Sequence, residues 1–254
     1  MLALLPQPAH VVVVVEENHT LAQVIERPGA ANYLQQLART GALFTDAHGV
    51  THPSQPNYLA MFAGMTNDNG DGCPPRGYSK TAPNLASELL AAHYTFAGYS
   101  EGLPGTGSDA CWAGQYGRKH VPWVDFSNVP SRLNLPLTAL PPFDRLPTVS
   151  FVVPDLDDDM HDGTVQQADA WARSHIAPLV QWGRTHNTLV VFTWDEGYDS
   201  RNSIPLLFVG PMVRPGRYAQ YVDHYSVLRT LEAMYGLPFT GRAQSAATIT
   251  NAWR

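Results

Sequence analysis

The chain has 254 residues, of which 44% are hydrophobic and 15% are charged, and its formal net charge is −6. A chain of this length can bury a substantial core, so we expect one enzyme-sized domain over residues 1–254. The acidic balance argues against a nucleic-acid binder with a broad basic face. A small anionic substrate remains compatible, because a metal ion or a few cationic side chains can reverse the local potential.

The N-terminal segment, MLALLPQPAH, does not fit a signal peptide as it stands. It has no basic n-region, and its apolar run stops at Pro6. We expect a secreted or periplasmic protein if a leader precedes this sequence, with a cytoplasmic protein as the alternative. No apolar run is long enough to cross a bilayer, so only transient contact with lipid head groups is expected.

Strand-like and helix-like segments alternate along the chain. The predicted strands are 10–18, which contains five consecutive valines, then 94–100, 148–155, 187–197 and 204–210. The predicted helices are 32–40, the segment after Pro56, 84–93, 165–184 and 224–236. This alternation predicts the α/β class, with a mostly parallel central sheet and helices on both faces. In such sheets, ligands bind at the carboxyl ends of the strands.

One long segment, around 102–147, is rich in Gly and Pro and has weak periodicity. We expect an irregular excursion over the sheet edge that forms a lid or a substrate wall. The two cysteines, Cys73 and Cys111, lie in Gly/Pro-rich sequence, and a disulfide between them would stabilise the fold by about 2–4 kcal/mol. Such a bond fits an exported protein, whereas two unpaired thiols would fit a cytosolic enzyme.

Several predicted strands end in residues that can bind metal ions. Glu17 and Asn18 follow the first strand, Asp155 follows the strand at 148, and Asp195 and Glu196 follow the strand at 187. A single ending of this kind could be a helix cap or a turn, but three at one sheet edge indicate a metal site. We predict Glu17, Asn18, Asp195 and Glu196 as ligands of Ca²⁺, Mg²⁺ or Mn²⁺, with Zn²⁺ as an option if a histidine joins.

A serine stands between two prolines in THPSQPNYLA, residues 51–60. Pro53 and Pro56 restrict the backbone around Ser54, which we place at the N-terminus of a helix. The helix dipole there favours an anion, and a nearby metal ion could activate the hydroxyl as a nucleophile. The alternative is that Ser54 is an ordinary helix cap.

Histidines and a basic cluster are further candidates for contact with an anionic substrate. Histidines near this acidic edge could hold a second metal ion, pair with phosphate oxygens or protonate a leaving group. A basic triplet is usually a solvated turn, but here we expect it to face the substrate. The residues are His52, His161, His224, Arg118, Lys119 and His120.

Five motifs, EENHT, THPSQPNYLA, PDLDDDMHDG, WDEG and DHYSVLRTLE, together resemble one enzyme family. It is the bacterial phosphoesterase family of acid phosphatases and phosphatidylcholine-type phospholipases C, within the alkaline phosphatase superfamily. The motifs span almost the whole chain, from Glu16 to Glu232. The resemblance implies an alkaline-phosphatase-like fold, a divalent metal ion and hydrolysis of a small phosphorylated substrate.

The same resemblance implies roles for individual residues. Ser54 is similar to a nucleophile that is transiently phosphorylated, and Asn57 to an asparagine that hydrogen-bonds a phosphoryl oxygen. Asp155, His161 and His224 occupy the positions at which two-metal members place their second ion. Glu196 stands where those enzymes have histidine, so the alternative is that His161 and His224 bind phosphate directly.

These observations favour a metal-dependent phosphomonoesterase of the acid phosphatase type, whose substrates could include phosphoinositides. Its catalytic residues would be Ser54, His161 and His224. The alternative enzyme is a phosphodiesterase resembling phospholipase C, and outside enzymes it is a non-catalytic metal- or phosphate-binding protein. A serine hydrolase is disfavoured, because no G-x-S-x-G motif surrounds Ser54.

Overall fold

The computed structural model describes residues 5–254, so the first four residues of the N-terminal apolar segment lie outside the description. Its strands are β1 (His10–Glu16), β2 (Ala42–His48), β3 (Phe96–Ser100), β4 (Trp112–Ala113), β5 (Tyr116–Gly117), β6 (Asn134–Pro136), β7 (Val149–Val153), β8 (Thr188–Trp194), β9 (Leu206–Val209) and β10 (Gly216–Asp223). Eight of them form one sheet in the order β10-β2-β9-β8-β1-β7-β3-β6. Only β9 runs antiparallel to its neighbours in this sheet, which confirms the mostly parallel fold.

The helices are α1 (Asn32–Thr40), α2 (Ser54–Ala63), α3 (Leu85–Ala91), α4 (Val165–His175), α5 (Ala177–Gly183) and α6 (His224–Met234), with a short π-helix at Ala22–Glu26. The sequence predicts one helix over 165–184, whereas the structure has two that meet at Ile176. Pro178 is the reason, because proline has no N–H for a helix interior but fits the first turn of a new helix.

The valine run forms the centre of the sheet. β1 pairs with β7 on one side and β8 on the other, and Val11 to Val15 are fully buried. Successive strand residues point to opposite faces, so complete burial means that both faces of β1 are covered. All ten residues of α2 are buried as well, and this helix packs against α6. The start of α2 is thereby fixed beside the carboxyl end of β1.

Three strands of the main sheet, β2, β10 and the three-residue β6, were not apparent from the sequence. In β2 the apolar start is followed by the half-buried Thr45 and Asp46, so the hydrophobic run is short. β10 lies at the edge of the sheet and most of its residues are exposed or half-buried. Edge strands need fewer apolar residues, so a hydrophobicity pattern identifies them poorly.

The segment between β3 and β7 carries the β4–β5 hairpin, short 3₁₀ turns and β6, which pairs with β3 at the other edge of the sheet. Cys73 and Cys111 form the predicted disulfide, with their Cα atoms 5.9 Å apart, and it ties this segment to the loop after α2. Within residues 5–254, no helix is long and apolar enough to span a bilayer.

Candidate active site

Ser54 is the first residue of α2 and its hydroxyl points at the carboxyl ends of β1 and β8. Its Oγ lies 2.9 Å from Oε2 of Glu17 and 3.4 Å from Oε1 of Glu196. All three residues are buried. The hydroxyl is therefore directed into an acidic centre rather than back onto the first turn of its own helix.

The amide of Asn57 holds the loop that delivers Ser54. Its Oδ1 accepts the backbone N–H groups of Val50 and Thr51, at 2.9 and 3.2 Å. Its Nδ2 donates to the carbonyl oxygens of Thr51 and Pro53, at 2.9 and 3.1 Å. Both ends of the amide are thus engaged within the chain, whereas the family resemblance implies that Asn57 contacts a phosphoryl oxygen.

Asn18 joins the carboxyl end of β1 to that of β8. Its backbone takes a left-handed conformation, φ 53°, which asparagine adopts more readily than most residues. Its N–H then donates to Oδ1 of Asp195 at 3.0 Å. Oδ1 of Asn18 and Oδ2 of Asp195 are buried and find no hydrogen-bond partner among the described residues. These oxygens, with those of Glu17 and Glu196, fit a hard divalent cation.

The buried carboxyl groups of this centre have raised pKa values, because burial and mutual repulsion disfavour their ionised forms. Burial and the neighbouring charge of Glu196 raise the pKa of Asp195 to about 7. Burial, with the charges of Asp195 and Asp159, raises the pKa of Glu17 well above its usual range. Several buried carboxylates cannot all ionise together unless a positive charge lies among them. The electrostatics therefore favour a cation at this position.

The turn after Glu196 brings the backbone at Gly197 close to the backbone of Ser203. A side chain at Gly197 would collide with the backbone oxygen of Ser203, so only glycine fits. The N–H of Gly197 donates to Oδ1 of Asn202 at 2.7 Å, and Nδ2 of Asn202 donates to the carbonyl of Thr51 at 3.0 Å. Asn202, which the sequence analysis did not single out, thus connects the β8 loop with the loop before Ser54.

A second buried group lies on the other side of Glu17. Tyr58 donates a 2.5 Å hydrogen bond to Oε1 of Glu17, and its ring stacks on that of His120 with centroids 5.0 Å apart. Nε2 of His120 lies 3.1 Å from Glu17 Oε1, and its Nδ1 lies 3.3 Å from Oδ2 of Asp159. Burial, with the nearby charges of Lys119 and His161, lowers the pKa of His120, so the ring is neutral.

Sequence reasoning missed Tyr58 and Asp159, although a signal for each is present. Tyr58 follows Ser54 by four residues, which places the two side chains on one face of α2. Asp159 is the last acid of the DLDDD run, and nothing in that run distinguishes it from its neighbours. The pattern therefore favoured Asp155, which follows the strand directly.

Lys119 and His161 form a polar pair beside this group. Nζ of Lys119 lies 3.1 Å from Oδ2 of Asp71 and 3.0 Å from Nε2 of His161. Because an ammonium group only donates, Nε2 of His161 accepts, and its Nδ1–H donates to Asp162 at 2.7 Å. Asp71 also accepts the N–H of Gln55 at 2.9 Å, so that N–H at the start of α2 is already engaged.

His52 lies on the exposed side of the centre. Its Nδ1 pairs with Oε2 of Glu196, and its side chain is 49% exposed. Its ring stacks on the exposed ring of Tyr198, with centroids 6.0 Å apart. Burial raises the pKa of Tyr198 to about 12, and the charges of Glu196 and Asp195 act in the same direction. The two rings therefore form an aromatic wall next to the carboxylates.

Two predicted residues lie apart from this centre. Arg118 is buried and pairs with Asp125 at 2.9 Å, while its Nη1 donates to the carbonyl of Asp109 at 2.7 Å. Asp155 groups with Glu101 and Asp158, whose carboxylate oxygens lie within 4.8 Å of one another. The structure thus gives Arg118 ion-pair contacts within the excursion, and puts Asp155 in a separate acidic cluster.

His224 lies behind the centre and is fully buried. Its Nε2 donates to the backbone carbonyl of Asp195 at 2.5 Å, and burial lowers its pKa, so the ring is neutral. It begins α6, directly after β10. Its contact is therefore with the backbone that carries a predicted metal ligand, rather than with the open side of the site.

Comparison with known proteins agrees with this geometry. The model of the phosphoesterase family matches residues 27–238. A Mycobacterium tuberculosis protein named phosphatidylinositol-3-phosphatase is 51% identical over 254 residues, covering 98% of this chain and 84% of that protein. A Kluyveromyces lactis protein named probable acid phosphatase is 29% identical over 243 residues, covering 85% of this chain but 56% of that protein.

The fold has relatives among solved structures. A protein in the alkaline phosphatase superfamily from Vibrio parahaemolyticus matches with a TM-score of 0.70 at 12% identity, covering 97% of this chain and 72% of that chain. Fold and relatives together define a hydrolase of phosphoric esters. The chain belongs to the phosphoesterase family. The family, the fold class and the enzyme class that the motifs predict are confirmed.

Proposed function

We propose that the chain hydrolyses phosphate monoesters through a phosphoserine formed on Ser54. The observation that best supports this is the position of the Ser54 hydroxyl, which is buried at the start of α2. Its Oγ lies 2.9 Å from Oε2 of Glu17 and 3.4 Å from Oε1 of Glu196. The phosphatase names of the relatives support a monoester as the substrate. The name of the Mycobacterium tuberculosis relative supports phosphoinositides as one substrate class.

A divalent cation fits beside Ser54, held by Glu17, Asn18, Asp195 and Glu196. The unpartnered oxygens of Asn18 and Asp195 support this ligand set. When bound, the cation supplies electrostatic stabilisation of the serine oxygen and of the phosphoryl group. His224 supports the ligand set from behind, because it fixes the Asp195 backbone.

The protein's own side chains account for the remaining steps. Glu17 accepts the hydrogen bond of Ser54 and orients Oγ for in-line attack on phosphorus. The Oγ–P bond forms as the P–O bond to the leaving group breaks, and the hydroxyl proton of Ser54 passes to Oε2 of Glu17. Water then attacks phosphorus and gives up a proton to Nε2 of His161. The Oγ–P bond breaks, Glu17 returns its proton to Oγ, and Ser54 is regenerated with inorganic phosphate as product.

Lys119 and His161 stabilise and protonate the departing group. The Lys119 ammonium is held by Asp71, which leaves it available to phosphoryl oxygens. His161 is partly exposed and Asp162 holds its Nδ1, while its Nε2 takes a proton from the Lys119 ammonium and passes it to the leaving oxygen. His52 lies on the opposite side, next to Glu196, and faces the part of the substrate beyond the phosphate.

The disulfide supports an oxidising compartment such as the periplasm or the extracellular space. Cys73 and Cys111 are the only cysteines of the sequence, so no free thiol competes for pairing. We therefore place the proposed activity outside the cytoplasm.

A Ser54→Ala variant tests the nucleophile. We expect hydrolysis of p-nitrophenyl phosphate to fall at least a thousandfold, with cation binding retained in equilibrium dialysis. A Ser150→Ala variant is the matched control, because Ser150 is a fully buried serine on β7 away from the centre. Unchanged turnover in Ser54→Ala would remove Ser54 as nucleophile. Faster hydrolysis of bis-p-nitrophenyl phosphate by the wild type would instead indicate a phosphodiesterase.

A further inference from the structure

Glu17 and two further potential metal ligands lie close together on the side of Glu17 that faces away from Ser54. Glu17, His120 and Asp159 each offer a ligand atom, and these atoms lie within 4.8 Å of one another. Each of the three residues is at most 1% exposed. Ligand atoms this close need only small shifts to surround one ion at the 2.0–2.2 Å distances typical of nitrogen and oxygen ligands.

The three groups are close, yet they do not satisfy one another. Nε2 of His120 and Oδ2 of Asp159 are buried and have no hydrogen-bond partner within residues 5–254. Burying a polar atom without a hydrogen-bond partner costs free energy, so native proteins rarely contain such atoms. Nε2 of His120 lies 3.1 Å from Oε1 of Glu17, whereas Oδ2 of Asp159 lies 3.3 Å from the other ring nitrogen, Nδ1, so one ligand atom from each residue borders a common volume. A cation in that volume would supply the partner that these buried groups lack, with Oε1 of Glu17 as a further ligand.

The backbone is shaped to present Asp159 in this way. Its carbonyl accepts the N–H of Glu17 at 2.8 Å, and its Oδ1 accepts the N–H of His161 at 2.8 Å, which leaves Oδ2 free. The next residue, Met160, has φ 79°, a left-handed conformation that is uncommon for a residue with an unbranched apolar side chain. Such strained positions cluster at functional sites, where surrounding contacts maintain them.

We infer that Glu17, His120 and Asp159 form a second cation site, which takes Mn²⁺ or Zn²⁺. This inference rests on the proposed function for the first cation and adds another ion to it. Two carboxylates with one imidazole suit these ions, whereas Ca²⁺ and Mg²⁺ prefer oxygen ligands alone. Glu17 bridges the two sites, because Oε2 faces Ser54 while Oε1 faces His120.

This ligand set differs from the one that the sequence resemblance implies. The resemblance places a second ion at Asp155, His161 and His224. In the structure Asp155 lies in the cluster with Glu101 and Asp158, and His224 contacts the Asp195 backbone. The second ion is therefore assigned to residues on the Tyr58 side of Glu17, with His120 as its only nitrogen ligand.

Ion counting tests the inference independently of turnover. The metal-free protein is dialysed against Mn²⁺ or against Ca²⁺, and bound ions per chain are measured by atomic emission. We expect two Mn²⁺ but one Ca²⁺ per wild-type chain. An Asp159→Asn variant should bind one Mn²⁺, because the amide keeps the Oδ1 contact to His161 but loses the charge. Glu232→Gln, which alters a buried carboxylate bonded to Thr240, should still bind two.

The outcomes separate this inference from the proposed function. If wild type and Asp159→Asn each bind one Mn²⁺ per chain, the second site is overturned and the site at Ser54 stands. If wild type binds one Mn²⁺, and Asp159→Asn loses it while Asp195→Asn keeps it, the result supports the His120 site. The same result contradicts the proposed cation beside Ser54. If Asp159→Asn fails to fold, His120→Gln provides the same count with the carboxylates unchanged.

Discussion

The hydroxyl of Tyr58 donates a 2.5 Å hydrogen bond to Oε1 of Glu17, and both side chains are fully buried. Tyr58 lies one helical turn after Ser54 on α2, so a single helix carries the proposed nucleophile and fixes a carboxylate that contacts it. Burial and the charge of Glu17 raise the pKa of Tyr58, so the phenol remains a donor at every working pH. Tyr58 is therefore a positioning residue for Glu17.

We expect Tyr58→Phe to weaken cation binding and to lower kcat with little change in KM. A buried hydrogen bond to a charged group contributes about 1.5–3 kcal/mol, which corresponds to a loss of about 10- to 100-fold. Dialysis against Ca²⁺ and steady-state kinetics with p-nitrophenyl phosphate measure the two effects. Tyr116→Phe is the control, because Tyr116 is a buried tyrosine whose hydroxyl has no partner in the described chain. Equal behaviour of both variants would contradict the positioning role.

Metal-free protein should lose stability as Asp195 ionises. The pKa of Asp195 is raised to about 7, so between pH 4 and pH 7 the folded state holds a proton that the unfolded state has released. The contribution of this group to the free energy of unfolding therefore falls as pH rises through that window, by at most about 1.4 kcal/mol per pH unit. Asp195→Asn lacks this dependence.

In EDTA, the melting temperature of Asp195→Asn relative to wild type should increase from pH 5 to pH 8. His120 and His224 have lowered pKa values and act in the opposite direction, because the unfolded chain gains protons on them as pH falls. Glu232, with a pKa of about 7, acts like Asp195. All three are present in both proteins and cancel in the difference. A difference that does not vary with pH would show that Asp195 does not titrate in this window.

Much of this arrangement was predictable because it depends on strand order and local residue types. The carboxyl ends of β1 and β8 had to meet once both strands were recognised as neighbours in a parallel sheet, which brings Glu17 close to Asp195. Pro53 and Pro56 likewise indicate that Ser54 begins a helix. The valine run predicts a doubly covered central strand, and the burial of Val11 to Val15 agrees with it.

Other parts depend on tertiary contacts that leave no periodic pattern. Lys119 and His120 belong to a 3₁₀ turn in an irregular segment, and only packing against α2 decides that His120 turns inward while Arg118 pairs with Asp125. Asp159 is selected from an acidic run by one backbone turn at Met160. Residue types could not select Asp159, because the neighbouring acids offer equivalent chemistry, and they could not show that His120 turns inward, because packing decides its direction.

The disulfide should matter for both stability and substrate binding. Replacing Cys73 and Cys111 by serine removes a cross-link over a separation of 38 residues, and we expect a loss of about 2–4 kcal/mol in urea unfolding. Asp71, which holds Lys119, lies two residues before Cys73, so we expect a several-fold rise in KM under conditions where the variant is folded. An unchanged KM would show that the loop keeps Lys119 in place without the bond.

The wall formed by His52 and Tyr198 should select substrates by the shape of the leaving group. Tyr198 is 69% exposed and follows the proposed ligand Glu196 by two residues, so its ring borders the space beyond the phosphate. Ring stacking contributes about 0.5–1.5 kcal/mol. We therefore expect Tyr198→Ala to lower kcat/KM for p-nitrophenyl phosphate about 2- to 10-fold, while kcat/KM for glycerol 2-phosphate, which has no ring, changes little.

Tyr221→Ala is the matched control for this prediction. Tyr221 is 55% exposed and also stacks on a histidine, His48, with centroids 5.1 Å apart. It lies on the edge strand β10, so its loss should leave both substrates unaffected. An equal loss for both substrates in Tyr198→Ala would mean that the ring supports His52 and Glu196 rather than the leaving group. A loss confined to the aromatic ester would instead establish Tyr198 as a specificity residue.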